Sequence, residues 1–256
     1  MYRFADCHIL VTGAGSGIGK AIALRLATEG AQISLLGRRM EKLDETKQEI
    51  SDIGGNSTTY SCDIREREQL ENTLAMLTEE HGPLFAVIAN SGIGGPNAPG
   101  ENDRFEELIQ TNLVGTYFTL RASQKYLLEE VPTHLIVISS CLARFGVPGY
   151  TGYCASKAGL LGMVRAFALE LASQGTQINA ICPGWVDTEM ATAGLEDMAA
   201  GLNISFDEAK EQAMSAVPLG YMGKPKDVAG MVAWLISEDA RGMTGQTLDI
   251  NGGSWM

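Results

Sequence analysis

Tyr153 and Lys157 stand four residues apart in "YCASK", just after the apolar run "THLIVISS". On a helix that interval puts both side chains on one face, so a phenol and an ammonium can meet one ligand. A free phenol has a pKa of about 10 and is a poor base at neutrality. A neighbouring cation favours the phenolate, which would let Tyr153 take or give a proton near neutral pH. Tyr150, three residues earlier, has no such lysine and reads as a loop aromatic. The same spacing also arises by chance in helices, so the pair needs a second feature beside it.

A second feature lies in "VTGAGSGIGKAIALRLATEG", where glycines recur at 13, 15, 17 and 19 between an apolar run and an amphipathic one. Lacking Cβ atoms, they let backbone amides approach a pyrophosphate at the positive end of a helix. The spacing is not GxGxxG, and a tight strand-to-helix turn would use the same residues. An acid that reads the ribose of NAD belongs about twenty residues further on, at the end of the next strand. The residues there are Leu36, Gly37, Arg38 and Arg39, with no acid among them. A guanidinium at Arg38 suits a 2'-phosphate through charge-assisted bidentate bonds, so NADP is favoured over NAD. The alternative is a pair of solvated helix-start charges, with NAD bound without a carboxylate clamp.

The hydrophobic pattern indicates what positions these groups. Short runs "CHILVTG", "QISLLG", "STTYS", "FAVIANSG", "HLIVISS", "QINAICPG" and "QTLDING" punctuate the chain. Between them lie amphipathic stretches at Lys20 to Glu29, Met40 to Ile53, Glu66 to His81, Phe105 to Glu129 and Tyr153 to Ser173. This rhythm predicts an α/β domain with a parallel sheet of about seven strands and helices on both faces. A chain of 256 residues, 45% hydrophobic, can fill one such domain, and no repeat, linker or charge block marks a second. One segment breaks the pattern. Residues 188–219, "TEMATAGLEDMAAGLNISFDEAKEQAMSAVPL", form a Met- and Ala-rich insertion of helical character. It reads as a lid over a site at the carboxyl ends of the strands, because methionines repack easily around a ligand. A surface helix pair with a core-facing Met stripe is the alternative.

Composition excludes several function classes. A net charge of -12 argues against a surface for nucleic acid, which needs clustered Lys and Arg. The five cysteines are scattered without CxxC pairs or His clustering, so they read as free thiols with no metal site or disulfide framework. The stretch "AGLLGMVRAFALELA" is interrupted by Arg165 and Glu170 and is too short to span a bilayer. "MYRFADCHILVTG" lacks the charged and apolar regions of an export signal. A soluble cytoplasmic protein with no membrane association is the expectation.

Four separated stretches then converge. "TGAGSGIG" fits TGxxxGxG, "ANSG" resembles NNAG, "YCASK" fits YxxxK, and "PGWVDT" fits the segment after a sixth strand. In this order, over Val11 to Gly253, they resemble the short-chain dehydrogenase/reductase family in its main single-domain branch. The resemblance implies a Rossmann-like doubly wound sheet and an NAD(P)-dependent oxidoreductase that interconverts a secondary alcohol and a ketone. It also implies a catalytic tetrad of Asn112, Ser140, Tyr153 and Lys157. Tyr153 would be the acid/base, Ser140 would hold the substrate oxygen, and Asn112 would bind a water linking Lys157 to solvent. Ser139 competes for the serine role, although the thirteen residues from Ser140 to Tyr153 favour Ser140.

By the same resemblance Gly13, Ser16 and Ile18 hold pyrophosphate and ribose, while Asp63 and Ile64 flank the adenine. Asn90 and Gly92 line the adjacent ribose, and Lys157 bonds the nicotinamide ribose beside Tyr153. Pro183, Gly184, Val186 and Thr188 position the nicotinamide carboxamide. Ala89 and Ser91 depart from NNAG, so a bond between neighbouring strands is missing or is rebuilt through Ser91.

Substrate signals are thinner. Cys141, Leu142, Arg144, Tyr150, Trp185 and Met190 make a largely apolar set around the expected pocket. Such a set suits a small-molecule alcohol or ketone that is hydrophobic, aromatic, or a 3-hydroxyacyl or 3-oxoacyl thioester. Arg144 would then pair with a substrate carboxylate or with acyl-CoA phosphates. The helical stretches "NLVGTYFTLRA" and "AGLLGMVRAFALELA" are apolar nearly all round, which points to a homo-oligomer, a tetramer or dimer. A non-catalytic dinucleotide-binding subunit or redox sensor of the same fold is the competing function.

Overall fold

The computed structural model describes residues 2–256. Its strands are β1 (His8–Thr12), β2 (Gln32–Gly37), β3 (Asn56–Ser61), β4 (Ala86–Ala89), β5 (Thr133–Ile138), β6 (Thr176–Pro183) and β7 (Thr247–Ile250). They form one parallel sheet in the order β3-β2-β1-β4-β5-β6-β7. Its helices are α1 (Gly17–Thr28), α2 (Met40–Asp52), α3 (Arg67–His81), α4 (Phe105–Ile109) and α5 (Gly115–Ser123). They continue with α6 (Thr151–Leu171), α7 (Glu189–Leu202), α8 (Phe206–Ser215) and α9 (Pro225–Leu235). None of them is long and apolar enough to cross a membrane.

Strand alternation explains why there are two cores. Successive side chains point to opposite faces, so Ile9, Val11, Ile33 and Leu35 join Leu26 of α1 and Val232 of α9. Leu10, Leu36, Val87 and Val137 point the other way and join Leu74 of α3, Leu120 of α5 and Phe167 of α6. Both faces are covered, which is why the central strands β1, β4 and β5 are buried throughout and read as largely apolar runs, unlike the outer β3 and β7. Leu10, in the middle of β1, is 0% exposed. Leu10→Ala should cost about 2–5 kcal/mol in urea denaturation; a loss below about 1 kcal/mol would contradict this packing.

Two predicted elements differ in detail. The helix expected over Phe105 to Glu129 is α4, a π-helical turn at Gln110–Val114, then α5, closing in a 3-10 turn at Gln124–Tyr126. The π turn inserts one residue per turn and buries Asn112 completely. The insertion at 188–219 is two helices. α7 stops at Asn203 in the left-handed conformation (φ 54), and α8 restarts on Ser205, whose hydroxyl accepts from Glu208 N while Glu208 accepts from Ser205 N.

Strand order reverses between β1 and β4. Loops leaving the two strands diverge there and open a crevice at their carboxyl ends.

Candidate active site

At the end of β1 the chain turns at Gly13, with φ at +65, and enters α1 through Ser16. No side chain caps α1, so its first amides face the crevice. The loop is braced from β4. Thr12 Oγ1 accepts from the backbone amides of Asn90 and Ser91, at 3.0 Å each. Asn90 Nδ2 donates to Thr12 O at 2.9 Å and to Gly13 O at 3.3 Å. The link between strands is therefore rebuilt through Thr12 and the Asn90 side chain. Ser91 takes part through its backbone N–H, which donates to Thr12 Oγ1.

A cleft of about 570 Å3 runs from Arg38, Arg39 and Lys42 past the glycine loop to Tyr153 and Lys157. At the basic end an Arg39 guanidinium nitrogen lies 3.5 Å from Ser16 Oγ. Arg38 is 4.0 Å from Asp63, whose carboxylate is held by Arg65 at 2.6 Å and kept below its usual pKa by that bond. Uncapped amides, close-approach glycines and guanidiniums at one end fit a phosphorylated dinucleotide laid along the cleft.

At the other end Tyr153 is the third residue of α6 and Lys157 follows one turn later. Lys157 is 5% exposed, and its Nζ donates to Ile138 O at 3.0 Å at the end of β5. The same Nζ lies 5.7 Å from the Tyr153 ring centroid. Burial lowers the Lys157 pKa to about 8 and raises that of Tyr153 to about 12, offset in part by the Ser140 hydroxyl. Burial is the largest influence on Tyr153 and favours the protonated phenol, so the protein alone does not produce the acidic phenol expected beside Lys157.

Ser139 and Ser140 separate cleanly. Ser139 Oγ donates to Lys157 O at 2.9 Å and is committed to fixing α6 on β5. Ser140, in extended conformation, accepts from Leu142 N at 3.2 Å, which leaves its proton free to be donated. Asn112 spends its amide on the β4 loop: Oδ1 accepts from Ile93 N at 2.8 Å, and Nδ2 donates to Ile93 O at 3.0 Å and Ser156 Oγ at 3.1 Å. Its side chain is thus a clamp on the loop after β4. A methyl placed at Gly92 would stand 3.1 Å from Asn112 Oδ1 and 3.4 Å from Lys157 Nζ, so the groups converge there.

Comparison with known proteins agrees with this geometry. A family profile described as Enoyl-(Acyl carrier protein) reductase matches residues 13–254. The chain belongs to the short-chain dehydrogenase/reductase family. The 3-oxoacyl-(acyl-carrier-protein) reductase FabG of Thermotoga maritima is 32% identical over 246 residues, 95% of this chain and 96% of its own. The FabG of Rickettsia bellii is 34% identical over 249 residues, 96% of each chain. Among solved structures, a variant of actinorhodin polyketide ketoreductase with NADPH superposes with a TM-score of 0.93 at 35% identity, covering 97% of each chain. Levodione reductase superposes at 0.89 with 30% identity and 98% coverage of each. The chain is an oxidoreductase of this family, with its Rossmann-type sheet.

Against the short-chain dehydrogenase/reductase expectation, most predicted residues come together. Gly13, Ser16, Ile18, Arg38, Asp63, Ile64, Asn90, Gly92 and Thr188 all line the cleft with Tyr153 and Lys157. Pro183, Gly184 and Val186 do not line it, and Gly184 admits the Asn251 backbone. Of the six substrate candidates only Met190 reaches the cleft wall, where it packs on Gly94. Tyr150 stands edge-on to Tyr153 at 6.4 Å, Cys141 is buried, and Trp185 covers Gly194. Arg144 is corrected: its guanidinium bonds Asp249 at 2.9 Å and Thr247 O at 3.3 Å, so its charge is already matched within the fold. Sequence reading missed Lys42, Arg104 and Asp197 as cleft residues. Only Lys42 carried a signal, standing one helical turn beyond Arg38 on α2.

Proposed function

We propose that this chain reduces the ketone of a 3-oxoacyl thioester, or a related apolar or aromatic ketone, to a secondary alcohol, with NADPH favoured over NADH. The observation that supports it most is Tyr153, with Lys157 Nζ 5.7 Å from its ring and Ser140 just after the end of β5, at one end of a cleft whose other end is basic. The names of the FabG relatives and of the ketoreductase with NADPH support the same class. A reduced nicotinamide supplies the hydride in such chemistry. Ser140 donates its hydroxyl hydrogen bond to the ketone oxygen and stabilises the charge that develops there. Tyr153 passes its phenolic proton to that oxygen, and the Lys157 ammonium offsets the tyrosinate that remains. Asn112 holds the Ile93 backbone beside this group.

Two further assignments belong to this reading. α7 and α8 act as a lid over the substrate end, with Met190 making the contact to Gly94. The exposed apolar faces of α5 and α6, with Tyr117 at 41% and Leu169 at 85% exposure, meet a second copy in a dimer or tetramer. Light scattering at the mass of one chain would reject the latter.

The direct test is absorbance at 340 nm with acetoacetyl-CoA and with aromatic and alicyclic ketones. NADPH binding without consumption across that panel would favour the non-catalytic subunit instead. For the cofactor, the double variant Arg38→Ala with Arg39→Ala should raise KM for NADPH by about 10–100-fold while NADH is little affected. Equal losses with both cofactors would reject the basic end as the 2'-phosphate site.

A further inference from the structure

Between Ser91 and Glu107 one residue alone is buried, and it is polar: Asn97, at 8% exposure. A buried amide without partners would be costly, so its bonds define its purpose. Oδ1 accepts from Gly152 N at 2.8 Å and from Thr151 Oγ1 at 3.1 Å. Nδ2 donates to Asp103 Oδ1 at 3.0 Å, and the Asn97 backbone N–H donates to Gly149 O at 2.8 Å.

Thr151 and Gly152 are the first residues of α6, immediately before Tyr153. Tyr150 occupies the cap position and makes no side-chain cap, since a phenol cannot fold back onto the helix amides. Asn97 supplies that cap from a different loop. The same Asp103 oxygen accepts from Phe105 N at 3.0 Å and so caps α4, which leads into the π turn carrying Asn112. The two helix starts are pressed together: a methyl at Gly152 would stand 3.0 Å from Leu108 Cδ1 and 3.2 Å from Phe105 Cα. The loop that bears Asn97 also supplies Gly94, Gly95 and Arg104 to the cleft.

We infer that Asn97 is a positioning residue: it fixes the first turn of α6, and with it Tyr153, relative to the loop at the substrate end of the cleft. This rests on the proposed role of Tyr153 as proton donor. An amide is required because α6 needs an acceptor while Asp103 needs a donor, and asparagine offers both. Aspartate at 97 keeps the acceptor but faces the Asp103 carboxylate. Asparagine at 103 then restores the missing donor if its Nδ2 turns to residue 97 while its Oδ1 keeps the Phe105 N–H.

That logic ranks three variants, read as acetoacetyl-CoA reduction, NADPH affinity by fluorescence, and amide exchange of the peptide around residues 150–156. Asn97→Asp should lose about 10–100-fold in kcat with NADPH affinity unchanged, and its helix-start amides should exchange faster. Asp103→Asn should behave as wild type. The double variant Asn97→Asp with Asp103→Asn should recover both kcat and exchange protection. Wild-type exchange and kcat in Asn97→Asp, or a double variant no better than it, would overturn the inference. If Asn97→Asp does not fold, the double variant decides alone, its activity and protection supporting the inference and their loss overturning it. Full turnover in Tyr153→Phe would defeat the proton-donor reading separately, and the exchange data would still judge the cap.

Discussion

Tyr153→Phe should leave about a thousandth of wild-type turnover or less, with the fold intact. The substitution removes one oxygen and keeps the ring that stands against Tyr150 and over the Lys157 amine. It therefore isolates the proton. A phenol whose burial raises its pKa to about 12 is fully protonated through neutrality, the state a donor to a ketone oxygen requires. Lys157 sets the upper pH limit. Its ammonium is present below a pKa of about 8 and is lost above it, so ketone reduction should be level through neutrality and decline as pH rises past that value. Stopped-flow NADPH oxidation across pH, with circular dichroism to confirm folding, makes both measurements. Turnover in the phenylalanine variant above about a tenth of wild type would end the donor assignment.

Gly19→Ala should abolish tight dinucleotide binding and destabilise the chain together. A methyl there would stand 2.2 Å from Gly13 O and 2.4 Å from Asn90 Nδ2, both part of the brace between the β1 loop and β4. Neither can yield freely, because Asn90 also bonds Thr12 O and Gly13 N is held by Leu36 O at 2.7 Å. Overpacking of this kind costs roughly 1–3 kcal/mol or more, which lowers Tm by several degrees in a chain of this size. The displaced α1 would turn its uncapped amides away from the cleft, so NADPH affinity should fall by about 100-fold or more. Gly201→Ala is the control, since it lies in α7 with open space around it and should be neutral or slightly stabilising. If the two variants bind NADPH equally, the close approach of α1 to the loop is not what shapes the site.

These predictions draw on features of different legibility. Central strand positions were readable because a strand buried on both faces is mostly apolar, and "ILV", "AVIA" and "LIVI" say so directly. The π turn was not, because one extra residue in a long helical pattern leaves the periodicity almost unchanged. Arg144 looked free because its partner Asp249 lies 105 residues away. The clamp role of Asn112 was equally hidden, since Ile93 reaches it only once β4 and α4 are assembled.

The amino-acid sequence by itself determined the family and the doubly wound sheet, and it nominated the Tyr153, Lys157, Ser140 and Asn112 set. Helix rise and strand alternation are local rules, so spacing alone states which side chains share a face. Only the tertiary structure decided the sign of the pKa shifts, the commitment of Ser139 to Lys157 O, and the cap that Asn97 places on α6. Desolvation and long-range hydrogen bonds are sums over neighbours brought from distant parts of the chain, and no local spacing encodes such a sum.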